Sequence, residues 1–313
     1  MTTLPVVVNP TSRGGRGSPP HEALERAARG LGFTLAWWET EAPGHAVELA
    51  ARAARERLPM LATWGGDGTY NEVARGLAGS STALLALPGG TSSVLAWELG
   101  ISRDPVQALA SQLSGERRAM QLGRTGSGQL FLLMLSVGPD SVILANLPAG
   151  LKRHGGKLGV TLQAVIEFSR ANLPSFEVCV GGERTRASWC IVGNARHYGG
   201  PYLATPGADP FAPGFEVVTL HRHGRTAVVP FFFAIPSGRH MTMRGVRHTA
   251  AREVVIEGEG HVPYQLDGDP AGTLPVTATA AEEALLVLLP AAGQRQSRAV
   301  AGSGHEGDTV TNA

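Results

Sequence analysis

The sequence predicts two architectures in one chain: an α/β first half with a parallel, helix-covered sheet, and a β-rich second half shaped as an antiparallel sandwich or curled sheet. Three observations carry this. Short β-rich runs alternate with helical runs up to about Gly123, as βαβ units do. Beyond that point, strand-like segments follow one another through Gly/Pro turns with little helix between them. Finally, three glycine-bearing loops each come directly after a strand of the first half, where parallel sheets place their ligands.

In chain order, LPVVVNP reads as a strand, 21–31 as a helix, FTLAWWET as a strand and the Ala/Arg-rich 44–58 as a helix. The strand MLATW, a helix at 70–78 and the strand ALLALPGG complete the alternation. A boundary without a flexible linker is expected near Leu122, giving units 1–122 and 123–292. The later strands are QLFLLMLSVGP, SFEVCVGG, RASWCIVGNA, GFEVVTL, REVVIEGE, VPYQLDG and LPVTATA, with helices at about 156–170 and near 225–235. Residues 293–313 are polar, Gly-rich and aperiodic, and are expected to form a disordered tail.

Composition narrows the function classes. The 313-residue chain is 43% hydrophobic with a formal net charge of +1. That suffices for two cores, and no basic block interleaved with aromatics points to nucleic acid. Cys179 and Cys190 are too few for a disulfide framework and read as buried free thiols in a reducing cytoplasm. The N-terminal MTTLPVVVNP lacks the basic and apolar regions of a signal peptide. The longest apolar run, AVVPFFFAIP at 227–236, is half a membrane span and holds two prolines. It reads as core, or as an apolar rim for a lipid chain.

The segment from Leu61 to Leu77, LATWGGDGTYNEVARGL, carries the chemistry of the first half. Its glycines let the backbone turn, leave amides available and open a helix, expected from Tyr70, whose N-terminal dipole favours an anion. Asp67 in such a cradle would repel phosphate unless a divalent cation stood between them, so it points to a metal–nucleotide complex. The competing reading is a plain capped turn. Asn9, Thr11, Ser12 and Gly14 make a second polar turn, and Gly89, Gly90 and Thr91 a third. Three such loops on one sheet edge make a pocket.

In YQLDGDPAG, Asp267 and Asp269 flank Gly268. Asp-Gly between strands signals a hairpin; read as chemistry, one carboxylate could take a proton from an attacking hydroxyl. The only two lysines, Lys152 and Lys157, lie in LKRHGGKLG, either as a solvated helix start or as compact ammonium groups for an anion. His221 and His223 have no second pair at ligand spacing and read as loop histidines rather than a zinc site.

In this order, the motifs resemble the diacylglycerol kinase catalytic-domain family, with its bacterial soluble lipid kinases and sphingosine kinase relatives. VVVNPTSRGG resembles the family's opening Asn-Pro turn, TWGGDGTYNEVARGL its GGDGT motif, and LALPGGTSSVLAWELG its third nucleotide loop. FLLMLSVGPD and LKRHGGKLG resemble the start of its second domain, VGNARHYGG and TPGADPFAPGFEVV its middle, and QLDGDPAGTLPV its acidic motif.

The resemblance implies an ATP-binding α/β domain like that of phosphofructokinases and NAD kinases, a β-rich lipid-substrate domain, and an active site in the cleft between them. By position it implies ATP contacts at Asn9, Pro10, Thr11, Ser12, Arg13, Thr40, Gly65, Gly66, Asp67, Gly68, Thr69, Tyr70, Asn71 and Thr91. Asp67 would help hold Mg²⁺ with the nucleotide, and Lys152 and Lys157 would meet an anion. Asp267 and Asp269 would reach towards the lipid hydroxyl, one of them as general base. The implied protein is a cytoplasmic, ATP-dependent kinase of phospholipid metabolism that visits the inner membrane surface and phosphorylates the primary hydroxyl of a diacylglycerol-like lipid. An exposed strand edge would permit a homodimer.

Three positions depart from the family pattern. Ser93 and Val94 stand where many members carry Asn-Asp, Asp269 where Glu is common, and Ala212 where relatives often place an aspartate beside a structural magnesium. A structural magnesium is therefore not assigned at that position. The alternatives are an NAD kinase, which shares GGDGT, another small-alcohol kinase, and a nucleotide- or lipid-binding regulator that has lost catalysis. The acidic motif and the lysine segment favour the lipid branch.

Overall fold

The computed structural model describes residues 1–12, 18–146 and 175–292. Arg13, Gly14, the expected helix at 156–170 with Lys152 and Lys157 before and within it, and the expected tail from Gly293 lie outside the described residues.

The first half alternates as its pattern demands: β1 (Thr2–Val8), α1 (His21–Gly30), β2 (Phe33–Glu39), α2 (His45–Arg55), β3 (Met60–Gly65), α3 (Asp67–Leu77) and β4 (Ala83–Pro88). The strands pair in parallel in the order β2-β1-β3-β4. Every residue of β4 is buried, which explains why it reads as an unbroken apolar run. α1 buries Leu24 and Ala28, and α2 buries Ala46, Ala50 and Ala53, at the spacing of one helix face. α2 lies so close to α3 that a Cβ at Gly76 would stand 2.5 Å from the Val47 carbonyl oxygen. Two further helices follow, α4 (Val94–Leu99) and α5 (Pro105–Leu113). Asp104 caps α5 by accepting from the Gln107 amide at 2.8 Å, and Pro105 takes the first helical position.

The second half comprises β5 (Glu116–Thr125), β6 (Leu130–Phe131), β7 (Met134–Val137), α6 (Pro139–Asn146), β8 (Phe176–Val180), β9 (Glu183–Ala187), β10 (Trp189–Gly193), β11 (His197–Tyr198), β12 (Tyr202–Leu203) and β13 (Phe215–Leu220). It ends with α7 (Arg225–Ala234), β14 (Val246–Ala251), β15 (Glu253–Glu257), β16 (Pro263–Leu266), β17 (Asp269–Thr273) and β18 (Val276–Leu289). One antiparallel sheet runs β14-β13-β10-β7-β16-β17. It faces strands β8, β9 and β15 across a core that includes Phe131, Phe176, Val217, Val254 and Tyr264.

The two halves share a single ten-stranded sheet, because the 14-residue β18 spans both. Its start pairs with β15, its length with β5, and Val287 lies beside Leu84 of β4. The expected boundary at 122 therefore falls inside the continuous strand β5.

Several elements differ from the sequence reading. The helix expected from Tyr70 opens at Asp67, so the end of GGDGT is the first helical turn rather than a loop before it. QLFLLMLSVGP is two strands, not one, interrupted at Leu132 and Leu133, whose amides are engaged elsewhere. RASWCIVGNA changes sheets at Ser188, between β9 and β10. Cys179 and Cys190 are both free and stand on strands of different sheets; burial pushes the Cys190 thiol far up, which keeps it unreactive.

Candidate active site

All the glycine-bearing loops of the first half leave the carboxyl ends of neighbouring strands, so sheet order alone brings them together. Glycine is required where they touch: a Cβ on Gly90 would stand 2.6 Å from the Gly66 Cα, so the second and third loops meet backbone to backbone. The first loop is tied to the second by Asn9, whose side-chain amide donates to Thr69 Oγ1 at 3.0 Å. Asn9 Oδ1 accepts from the Thr11 amide and hydroxyl at 2.9 and 2.7 Å. Ser12 is buried, and Pro10, Thr11, Gly68 and Thr91 are exposed. Thr40 sits at the end of β2 with its amide on the Val8 carbonyl, 2.9 Å away.

Two members of the expected contact set turn inward. Tyr70 is fully buried in the core, and its amide donates to the Gly66 carbonyl, so it supports the turn from beneath and offers a ligand no surface. Thr69 is 5% exposed and is occupied by Asn9. The physical reason is the early helix start: with Asp67 in the first turn, positions 69 and 70 rotate towards the sheet.

Asp67 accepts from the Leu95 amide at 3.1 Å and so grips the start of α4. Burial raises its carboxyl above the ordinary range, opposed by the amides of Val94 and Leu95 and by Arg103. Arg103, which donates to the Thr91 carbonyl at 3.1 Å, is a cation at these loops that the sequence reading did not single out.

Across from the loops, Asp267 and Asp269 sit about the β16–β17 hairpin. The hairpin reading holds for this turn. Asp267 and Gly268 have φ of 51° and 88°, the two positive values that a two-residue Asp-Gly turn requires. The Asp267 carboxylate meanwhile accepts the amides of Leu132 at 2.7 Å, Leu133 at 2.7 Å and Met134 at 2.9 Å. That clasp is what interrupts the strand between β6 and β7. Asp269 is exposed, and its Oδ2 lies 3.8 Å from where a Cβ of Gly68 would stand, over the amino end of α3. It lines a pocket of about 540 Å³ with Val47, Asn71 and Arg75 from the first half and Gln129, Leu266 and Ala271 from the second. Asn71 Oδ1 is buried beside this pocket without a hydrogen-bond partner among the described residues.

Asp140, in the first turn of α6, is a further buried acid, which the sequence shows only at the end of an apolar run. It is 5% exposed, accepts from the Tyr198 hydroxyl at 3.0 Å and the Gln265 amide at 3.4 Å, and burial raises its carboxyl. Gln265 also accepts from the Gly268 amide at 2.7 Å, which links Asp140 to the hairpin.

Burial pushes the Asp267 carboxyl up, the three amides pull it down, and nearby Asp67 adds to the rise, leaving it at about 6 against an ordinary 3.8. The folded protein thus holds a proton that the unfolded chain has already released. The stabilisation is full below 3.8 and is lost as pH rises to about 6, and Asp67 and Asp140 act in the same direction. The ligand-free protein is therefore expected to melt lower at pH 7 than at pH 5, with a smaller difference in Asp267→Asn; thermal melts across that range check it.

A second interdomain contact lies behind α4. Glu98 is fully buried and accepts from the Arg196 amide at 3.0 Å, Arg196 Nε at 3.1 Å and the His197 amide at 3.2 Å, with His197 Nδ1 2.6 Å away. Burial acts to raise the Glu98 carboxyl, but His197 and Arg196 outweigh it and hold it below its usual range. Through α4, this clasp joins the loop that Asp67 grips to the strand carrying Tyr198.

Among the described residues, no group of three or more His, Cys, Asp or Glu side chains is arranged as a self-sufficient metal site. Instead, carboxylates gather at an anion-binding edge, with Asp67 and Asp267 close enough to feel each other's charge. That donor set suits a divalent cation arriving with a polyphosphate whose oxygens complete its coordination. At 209–214, Ala212 offers no carboxylate, Asp209 accepts the Phe211 amide at 3.0 Å, and Gln121 Oε1 holds the Gly214 amide at 2.9 Å. The loop lines a pocket of about 340 Å³ with Asp209 and Glu216, to which Ala212 adds no carboxylate.

Glycine loops on a parallel sheet edge, opposed by a carboxylate hairpin from a β-sandwich, define a kinase of the diacylglycerol kinase catalytic-domain family, and the chain belongs to that family. The diacylglycerol kinase catalytic domain matches residues 3–125, and the YegS C-terminal NAD kinase beta sandwich-like domain matches residues 135–289. Among individual proteins, the chain is 30% identical over 253 residues to a diacylglycerol kinase of Mycobacterium tuberculosis, covering 78% of this chain and 81% of that one. It is 24% identical to a diacylglycerol kinase of Bacillus subtilis, over 88% of this chain and 92% of that one. A crystal structure of a diacylglycerol kinase from Bacillus anthracis shares the fold, with a TM-score of 0.72 at 19% identity over 92% of this chain and 96% of that one.

Proposed function

We propose that the chain is an ATP-dependent lipid kinase that transfers the γ-phosphoryl group to the primary hydroxyl of a diacylglycerol-like lipid. The observation that carries this reading is Asp269 facing the amino end of α3 across the cleft, 3.8 Å from the Gly68 Cβ position.

In this mechanism, the amides of the turn from Gly66 to Thr69 and the α3 dipole hold the phosphates, and Arg103 offsets negative charge spreading over the transferring group. Asn9 and the Gly66–Gly90 contact keep the loops in register. Asp269 accepts the proton of the lipid hydroxyl as its oxygen bonds to phosphorus and the bond to the ADP oxygen breaks. Asp267, already holding three amides, fixes the hairpin and positions Asp269 rather than reacting. Asp67 would hold Mg²⁺ with the nucleotide. The cation would neutralise phosphate charge. Thr40, Asn71 and Thr91 would meet the nucleotide, Asn71 from the pocket wall. Lys152, Lys157 and Arg13 stay proposed anion or nucleotide contacts by resemblance alone.

The test is ADP release from ATP and Mg²⁺ with mixed micelles of diacylglycerol, monoacylglycerol, ceramide or sphingosine. Diacylglycerol is expected to stimulate turnover, and Asp67→Ala to abolish it by weakening Mg²⁺-ATP binding at least tenfold. Lipid-independent turnover, or phosphorylation of NAD in its place, would overturn the assignment.

A further inference from the structure

Helix α7 is apolar on both sides. Ala227, Val228 and Phe231 are buried, with Phe231 against Trp189 at 5.1 Å between ring centroids. The opposite side carries Val229, Pro230 and Phe233, flanked by Arg225 and Thr226 of the first turn, and Phe233 is 66% exposed. Three consecutive phenylalanines spread about 100° apart around a helix, so one must face out. Nothing about the helix requires that one to be aromatic. A helix apolar all round is ordinarily buried in protein or in lipid, yet this one turns an apolar side to water.

The chain on either side of this helix is basic. Residues 217–252 contain six arginines and no acidic residue. Arg222, Arg225, Arg239 and Arg244 are exposed, and none pairs with a carboxylate among the described residues. Arg247 is tied to Glu183. A chain of contacts runs inward from this face: β12 packs on the 3₁₀ turn Ile235–Ser237 that ends α7, its Tyr202 is 42% exposed, and Tyr202 pairs with Tyr198, whose hydroxyl reaches Asp140.

We propose that the outer side of α7, with Tyr202 and the four arginines, docks the protein on an anionic lipid bilayer. Phe233 enters the acyl boundary and the guanidinium groups meet headgroup phosphates. Charge complementarity selects the bilayer over a second copy of this chain, which would bring the same arginines against one another. The proposal rests on the lipid-kinase reading for its purpose, but it is a binding claim and is tested as one.

The experiment is co-sedimentation of the full chain with vesicles of phosphatidylcholine alone or mixed with phosphatidylglycerol, for wild type, Phe233→Asp and Arg225→Glu/Arg239→Glu. All three positions are exposed, and matching melting temperatures would establish that the variants fold. Wild type is expected to partition onto the anionic vesicles about tenfold more strongly and to lose that preference in high salt. Both variants are expected to lose at least tenfold in partition while retaining turnover of a short-chain, water-soluble diacylglycerol. Equal partition of wild type and variants, or indifference to anionic lipid, would overturn the proposal. So would a Phe233→Asp variant that changes only the oligomeric state in sedimentation velocity. Docking without turnover of any lipid leaves this proposal standing and removes the kinase reading instead.

Discussion

Asp269→Asn is expected to lower kcat by roughly 10²–10⁴-fold, the usual contribution of a general base, with the protein still folded. Asp267→Asn is expected to behave differently, although the two acids are separated by a single glycine. The new amide would point a donor at the Leu132 or Leu133 amide, and leaving such groups unsatisfied costs about 1–3 kcal/mol. Thermal melting should register this as a fall of about 2–4 °C for each kcal/mol, with kcat reduced because the hairpin shifts. Asp269→Glu, which keeps a proton acceptor one methylene longer, should recover activity that Asp269→Asn loses. Equal loss of activity without loss of stability in Asp267→Asn would transfer the role of base to Asp267.

Glu98→Ala should be the most destabilising single change in the cleft. It would leave the Arg196 guanidinium, whose side chain is 20% exposed, without its carboxylate partner, and one Arg196 nitrogen is already unpartnered among the described residues. Removing one partner from a buried ion pair costs about 3–5 kcal/mol, so a fall in melting temperature on the order of 10 °C is expected. Because α4 also carries the amide that Asp67 accepts, the KM for ATP should rise more than the KM for lipid. A melt within a degree of wild type would show that the two halves are held by other contacts.

Much of the fold was legible because it is local. Alternating apolar runs specify β1 to β4 and their helices, and the Asp-Gly turn specifies the β16–β17 hairpin, since each signal lies within a dozen residues. β18 was only partly legible. Its start reads as a strand, but its passage into the first half depends on partners more than 150 residues away, Glu116 to Thr125. The same limit hid Asp140 and Glu98, whose partners Tyr198, Gln265, Arg196 and His197 are distant in the chain. Arg103 stands only twelve residues from Thr91 and was hidden because the chain must fold back along α4 for the two to meet.

The sequence by itself determined which residue types stand after which strands, and so the loops, the acidic hairpin and the family. Backbone periodicity and turn chemistry are properties of short segments and need no tertiary contact to be read. Only the tertiary structure decided what each acid does: which carboxylate is spent on amides, which faces the helix end, and which is buried against a tyrosine. Those assignments depend on hydrogen bonds and burial between segments far apart in the chain, and the chain order of two aspartates one residue apart carries no record of them.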